Sequence, residues 1–187
     1  MESQTLTVVI LVAVALLAGV TVWALMRRQR SEQLKQRFGP EYERTLQTAG
    51  TLSEAEKALA DRAARVDRFK LRPLSRDQAD AFSREWKRVQ ATFVDDPDRA
   101  VGDADNLVTQ VMAARGYPIE DFDRRAEDVS VDHPNVVENY RVGRALVLRR
   151  KRGEAGTEEL RQAVVNYRAL FDDLLEVEEV HHARRAS

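Results

Sequence analysis

Ser75-Arg76-Asp77-Gln78-Ala79-Asp80-Ala81-Phe82-Ser83-Arg84-Glu85-Trp86-Lys87-Arg88-Val89-Gln90-Ala91-Thr92-Phe93 carries the clearest helical pattern in the chain. Ala79, Phe82, Trp86, Val89 and Phe93 recur at spacings of 3, 4, 3 and 4, which puts them on one face of an α-helix and leaves charged residues on the other. Ser75 and Gln78 stand in capping-box register ahead of the stripe. Asp95-Asp96-Pro97 then ends this helix and opens the next, with a carboxylate to cap it and a proline suited to its first turn.

The same grammar extends in both directions. Upstream, Phe38-Gly39-Pro40 breaks one helix and starts another running to about Thr48, and Ser53-Glu54-Ala55-Glu56 predicts a helix over 54–69, closed by Pro73. Downstream, Ala100, Ala104, Leu107 and Val111 mark an apolar face that stops at Gly116. A short helix is expected from Pro118 and Ile119 to about Glu127, with Ile119 and Phe122 inward. Ser130-Val131-Asp132-His133-Pro134 reads as a further cap, followed by a helix to Arg152 that buries Val136, Val137, Tyr140 and Val147. After Gly153 and Gly156, Thr157 caps a last helix lined by Leu160, Val164, Tyr167, Leu170, Phe171, Leu174 and Leu175. No segment alternates with period two, so the expected fold class is all-α: a compact multi-helix bundle with short joints.

Ahead of the bundle, Thr5 to Met26 carries no charge. About twenty such residues, each rising about 1.5 Å, match a hydrocarbon core of about 30 Å, so the stretch predicts an N-terminal transmembrane helix in contact with membrane lipid. A cleaved signal peptide would show a basic segment before the apolar run and small residues after it. Here only Glu2 precedes the run and Arg27-Arg28-Gln29-Arg30 follows it. Arg27, Arg28, Arg30, Lys35 and Arg37 form a basic collar on one side of the span alone. The positive-inside rule then predicts a single-pass protein of the cell membrane with its soluble domain in the cytoplasm. The same five residues suit a membrane surface rich in anionic lipid. The expected organisation is an anchor and collar over 1–37, a helical domain over 38–176 and a charged tail over 177–187.

From Phe38 onward the chain has 25 Lys+Arg against 29 Asp+Glu, with arginines scattered among acids, which argues against a nucleic-acid partner. A composition of 43% hydrophobic and 33% charged residues is that of a globular chain, and the absence of cysteine excludes disulfides. No Walker loop, dinucleotide fingerprint or nucleophile elbow occurs.

Arg37-Phe38-Gly39-Pro40-Glu41-Tyr42, Arg72-Pro73-Leu74-Ser75, Trp86 with Val89-Gln90, Phe93-Val94-Asp95-Asp96-Pro97, Arg115-Gly116-Tyr117-Pro118, Val131-Asp132-His133-Pro134 and Tyr167-Arg168-Ala169-Leu170-Phe171 together carry a resemblance. The chain resembles a family of uncharacterised bacterial proteins with one membrane span and a small helical domain. The resemblance implies the same boundaries and supplies no catalytic residues.

Individual residues give no constellation for chemistry. His133, between Asp132 and Pro134, reads as local capping structure. His181 and His182 are adjacent and so point about 100° apart on a helix, unlike metal ligands spaced i and i+4. Asp95-Asp96 with Asp98, Glu158-Glu159 and Asp172-Asp173 read as caps and solvated faces. Tyr42 and Tyr117, each beside Gly and Pro, are expected at the surface or pinning loops. No catalytic, cofactor or metal site is expected. The function that fits is a non-enzymatic, membrane-anchored interaction or scaffold module with a protein partner at the membrane. The alternative is a tethered enzyme or ligand-binding domain whose site is assembled from distant helices.

Overall fold

The computed structural model describes residues 2–175, with side chains from Leu16 onward. Among the described residues there are eight α-helices and no strand: α1 (Glu2–Phe38), α2 (Pro40–Ala49), α3 (Leu52–Val66), α4 (Arg76–Asp95), α5 (Pro97–Arg115), α6 (Phe122–Asp132), α7 (Val137–Lys151) and α8 (Thr157–Leu174). The compact all-α bundle is as expected. The charged tail over 177–187, with His181 and His182, lies outside the described residues, as do the side chains of Thr5 to Ala15 in the apolar run. Among the described residues no helix is long and apolar enough to cross a membrane.

The capping signals around α4 and α5 act as their sequence predicts. Ser75 Oγ accepts from the Gln78 amide at 3.2 Å, while the Gln78 side chain accepts from the Ser75 amide at 3.0 Å. Asp96 Oδ1 accepts from the Arg99 amide at 3.0 Å, and Pro97 is the first residue of α5. Gly116 closes α5 in the left-handed region, at φ 97°. A Cβ there would stand 2.8 Å from the Lys70 carbonyl oxygen, so the glycine is required both by conformation and by the strand of chain laid against it.

Other signals are used differently. The cap of α3 is Thr51, whose Oγ1 accepts from the Glu54 amide at 3.3 Å and donates to the Glu54 carboxylate at 2.7 Å. Thr51-x-x-Glu54 and Ser53-x-x-Glu56 are overlapping capping boxes, and Glu56 is engaged elsewhere, accepting from the Tyr42 hydroxyl at 3.1 Å. The helix also stops at Val66, three residues early, where the amides of Arg68 and Phe69 turn back on the i−3 carbonyls of Arg65 and Val66. Residues 118–127 are not a helix from Ile119: α6 begins at Phe122, capped by Asp121, and Ile119 is 50% exposed. Ser130-Val131-Asp132 is the final turn of α6 and no N-terminal cap. Val131 is buried and carries the helical face onward, and α7 starts without any side-chain cap. Gly156 precedes α8 in place of Thr157, its amide bonded to the Glu159 carboxylate at 2.9 Å.

Two apolar clusters hold these helices. The larger one joins α4, α5, α7 and α8 through Trp86, Val108, Met112, Tyr140, Tyr167 and Phe171, with Phe82 and Phe93 packed partly buried against it. Trp86 is fully buried, its ring 4.6 Å from that of Phe171. Helix α7 comes close to α8 at Gly143, where a Cβ would lie 3.3 Å from the Ala163 carbonyl oxygen. The smaller cluster is built by Leu34 and Phe38 at the end of α1 with Tyr42, Leu59, Ala63, Val66 and Val131. Helix α6 bridges the two, giving Ala126 and Val129 to the first and Val131 to the second.

Candidate functional site

Where α2, α3, α6 and α7 meet, the sequence supplies charge in place of apolar side chains. Glu41, in the first turn of α2, is 2% exposed. Arg141 from α7 grips its carboxylate with two parallel bonds, Nη1 to Oε2 at 2.7 Å and Nη2 to Oε1 at 2.9 Å. Arg62 from α3 adds a third at 2.8 Å through Nη1, which also donates to Ser130 Oγ of α6 at 3.0 Å. One carboxylate therefore serves two guanidiniums from different helices. Burial pushes the Glu41 carboxyl up, but the bonds and charges of Arg141 and Arg62 outweigh it and hold the group below its ordinary value.

Beside this triad, Arg65 donates from Nε to Asp128 at 2.7 Å and from Nη2 to Glu127 at 3.2 Å, tying α3 to α6. Burial raises Asp128, and the Arg65 pairing opposes that rise without cancelling it.

Above the triad opens a cleft of about 560 Å³. Arg44, Thr45 and Thr48 of α2 form one wall, Phe122, Asp123 and Glu127 of α6 another, and Arg141, Arg144, Ala145 and Leu148 of α7 the third, with Arg62 contributed by α3. Four arginines and two acids thus line one concavity. Arg144 lies 5.4 Å over the Phe122 ring and 3.9 Å from Asp105; Arg44 reaches Glu138 at 3.4 Å. Sequence reasoning did not find this constellation, since Glu41 and Arg141 stand 100 positions apart. No periodic pattern marks Glu41 for the interior, and only the tertiary fold brings Arg62 and Arg141 to it.

The collar residues divide between two settings. Arg27, Arg28 and Arg30 project from an exposed length of α1, with Arg27 5.5 Å over the Trp23 ring. Lys35 and Arg37 belong to the bundle: Lys35 lies 5.6 Å over the Tyr42 ring and pairs with Glu32, while Arg37 bonds Asp67 at 2.7 Å and lowers its carboxyl.

His133 does not start a helix. It closes α6, and its Nδ1 sits 2.5 Å from Asp173 Oδ2 of α8. Tyr42 and Tyr117 are buried and not surface residues. Tyr117 donates to Asp132 at 2.9 Å, and burial together with that charge raises its phenol, which stays protonated as the donor. The carboxylate clusters are shared out among partners: Asp98 pairs with Arg150, Glu158 with Arg161 and Asp172 with Arg168. Among the described residues no group of three or more His, Asp or Glu side chains is arranged to hold a metal ion. No protein-family model, curated protein or solved structure matches the chain.

Proposed function

We propose that this protein is a non-catalytic, membrane-tethered interaction module: one apolar helix over residues 5–26 lies in a lipid bilayer and carries the helical bundle on its cytoplasmic side. The observation that carries the reading is that every residue from Leu16 to Arg30 is exposed. Leu16, Leu17, Val20, Val22, Trp23, Leu25 and Met26 are between 56% and 68% exposed, on all sides of α1, with nothing from the bundle packed on them. A helix apolar all round requires an apolar surrounding, and lipid supplies one. The uncharged sequence before Leu16 and the arginines after Met26 support the same reading and its orientation. Tethering raises the effective concentration of the bundle for a protein partner at the membrane without adding a contact.

Single cysteines introduced by Ser3→Cys and Ser187→Cys in the cysteine-free chain test both parts. The full-length protein should stay with membranes through alkaline extraction, and an impermeant thiol reagent on intact cells should label position 3 and spare position 187. Release at alkaline pH would remove the anchor, and the opposite labelling would reverse the orientation. A specific observation favours a second reading, a ligand-binding domain: the cleft lined by four arginines.

A further inference from the structure

We propose that the cleft between α2, α6 and α7 is a binding site for a hydroxylated phosphate monoester or diester, gripped between Arg44 and Arg144. The inference is independent of the membrane reading. Arg62 and Arg141 are committed to Glu41, whereas the guanidiniums of Arg44 and Arg144 donate no hydrogen bond among the described residues. Their ion pairs are loose, 3.4 Å to Glu138 and 3.9 Å to both Glu41 and Asp105. Both are already drawn to the cleft, with side chains 45% and 32% exposed, and Arg144 is braced against the Phe122 ring. Planar guanidiniums with unused donors on two walls match the oxygens of a phosphate.

The rest of the lining narrows the ligand further. Arg62 donates hydrogen bonds through Nη1 alone, and its Nη2, 3.9 Å from Glu127, leaves the floor with donors free to turn toward a ligand. Asp123 is exposed at the rim of the α6 wall, an acceptor for ligand hydroxyls and unfavourable to a second anionic group. A volume of about 560 Å³ suits a small organic phosphate. Glycerol phosphate has this chemistry, free in solution or as the headgroup of phosphatidylglycerol, and the test separates the two sources.

The full-length protein in a neutral detergent is titrated with glycerol 3-phosphate by calorimetry at fixed ionic strength. In parallel, its unfolding midpoint is compared between nanodiscs of phosphatidylcholine and of phosphatidylglycerol. Three proteins are used: wild type, Arg44→Gln with Arg144→Gln, and the collar variant Arg28→Gln with Arg30→Gln. The guanidiniums replaced donate no hydrogen bond among the described residues and their ion pairs are long, so folding should survive, as circular dichroism will show. Arg44→Lys with Arg144→Lys keeps the charge and should restore part of the binding. A soluble ligand is supported by saturable binding that falls at least tenfold in the cleft variant and is unchanged in the collar variant. A headgroup ligand is supported if only phosphatidylglycerol raises the midpoint and the cleft variant alone loses that rise. Absence of any saturable response to both probes overturns the site. So does a response that survives the cleft variant or disappears equally in the collar variant.

Discussion

The two halves of the bundle are held by opposite means. Around Trp86 and Phe171, four helices share one apolar core in which neighbouring rings and aliphatic side chains fill the space. Around Glu41, short helices enclose a smaller apolar cluster, and a buried carboxylate with two arginines fixes how α2, α3 and α7 meet. The first arrangement is strong and sets no direction of its own, because dispersion and water exclusion are nondirectional and grow with area. The second is directional: each guanidinium accepts one orientation of its partner, so the ion cluster contributes less to net stability than to a single docking geometry. A chain can therefore expose a polar cleft beside the second half, where charged groups are already gathered, without disturbing the first.

Trp86→Ala should break the apolar half hardest, lowering stability by about 3–5 kcal/mol, because the ring is fully buried and its removal leaves a cavity. Denaturant unfolding of the full-length protein in detergent, followed by far-UV circular dichroism, measures it. A variant of wild-type stability would mean that the core closes over the gap.

Glu41→Gln attacks the other half by removing the buried charge that Arg62 and Arg141 share and leaving them only the longer pairs to Glu127 and Glu138, at a cost of about 3 kcal/mol. The contrast sharpens when all three are replaced, Glu41→Met with Arg62→Met and Arg141→Leu: the midpoint should return to wild type or exceed it. No triple replacement in the apolar half would behave so. Failure of this rescue would mean that the ion cluster supplies net stability and not merely geometry.

Gly116→Ala should cost about 2 kcal/mol, combining a left-handed backbone with the 2.8 Å approach to Lys70, and the same unfolding measurement reads it.

The smallest effect concerns acid. The Glu41 carboxyl is held below the usual 4.5 when folded, so its stabilisation is complete above pH 4.5 and is lost as pH falls through the lower folded-state value. Asp128 acts in reverse: raised above 3.8 by burial, it takes up a proton first in the folded chain and adds stability as pH falls toward 3.8. The stability gap between wild type and Glu41→Gln should therefore shrink below pH 4.5. A gap constant down to pH 3 would show that Glu41 is not the titrating group.

What could be read from sequence follows the same division. The apolar half was legible because its residues repeat within single helices: Ala79 to Phe93 and Leu160 to Leu174 lie at spacings that only a helix brings to one face. Cap position was less legible, since Thr51 and Ser53 offer overlapping boxes and the choice depends on Tyr42 drawing Glu56 away. At Ser130 to Asp132 the polar residues resembled a helix start. Their use is set by contacts far along the chain, Ser130 bonded by Arg62 and Asp132 by Tyr117. The arginine cleft was illegible for the same reason, because Glu41, Arg62 and Arg141 carry no periodic signal and meet only through tertiary folding.

Helix α1 passes without a break from its apolar half through Arg30 to Leu34 and Phe38, which are seated in the smaller cluster. Such a junction transmits rotation as well as position, as a hinge or a flexible linker would not. Each residue inserted between Arg30 and Leu34 would turn the bundle by about 100° about the helix axis and shift it by about 1.5 Å. The compass direction of the cleft is thus written into the number of residues in the stalk, and one added residue would point it nearly sideways while leaving Leu34 and Phe38 seated in their cluster.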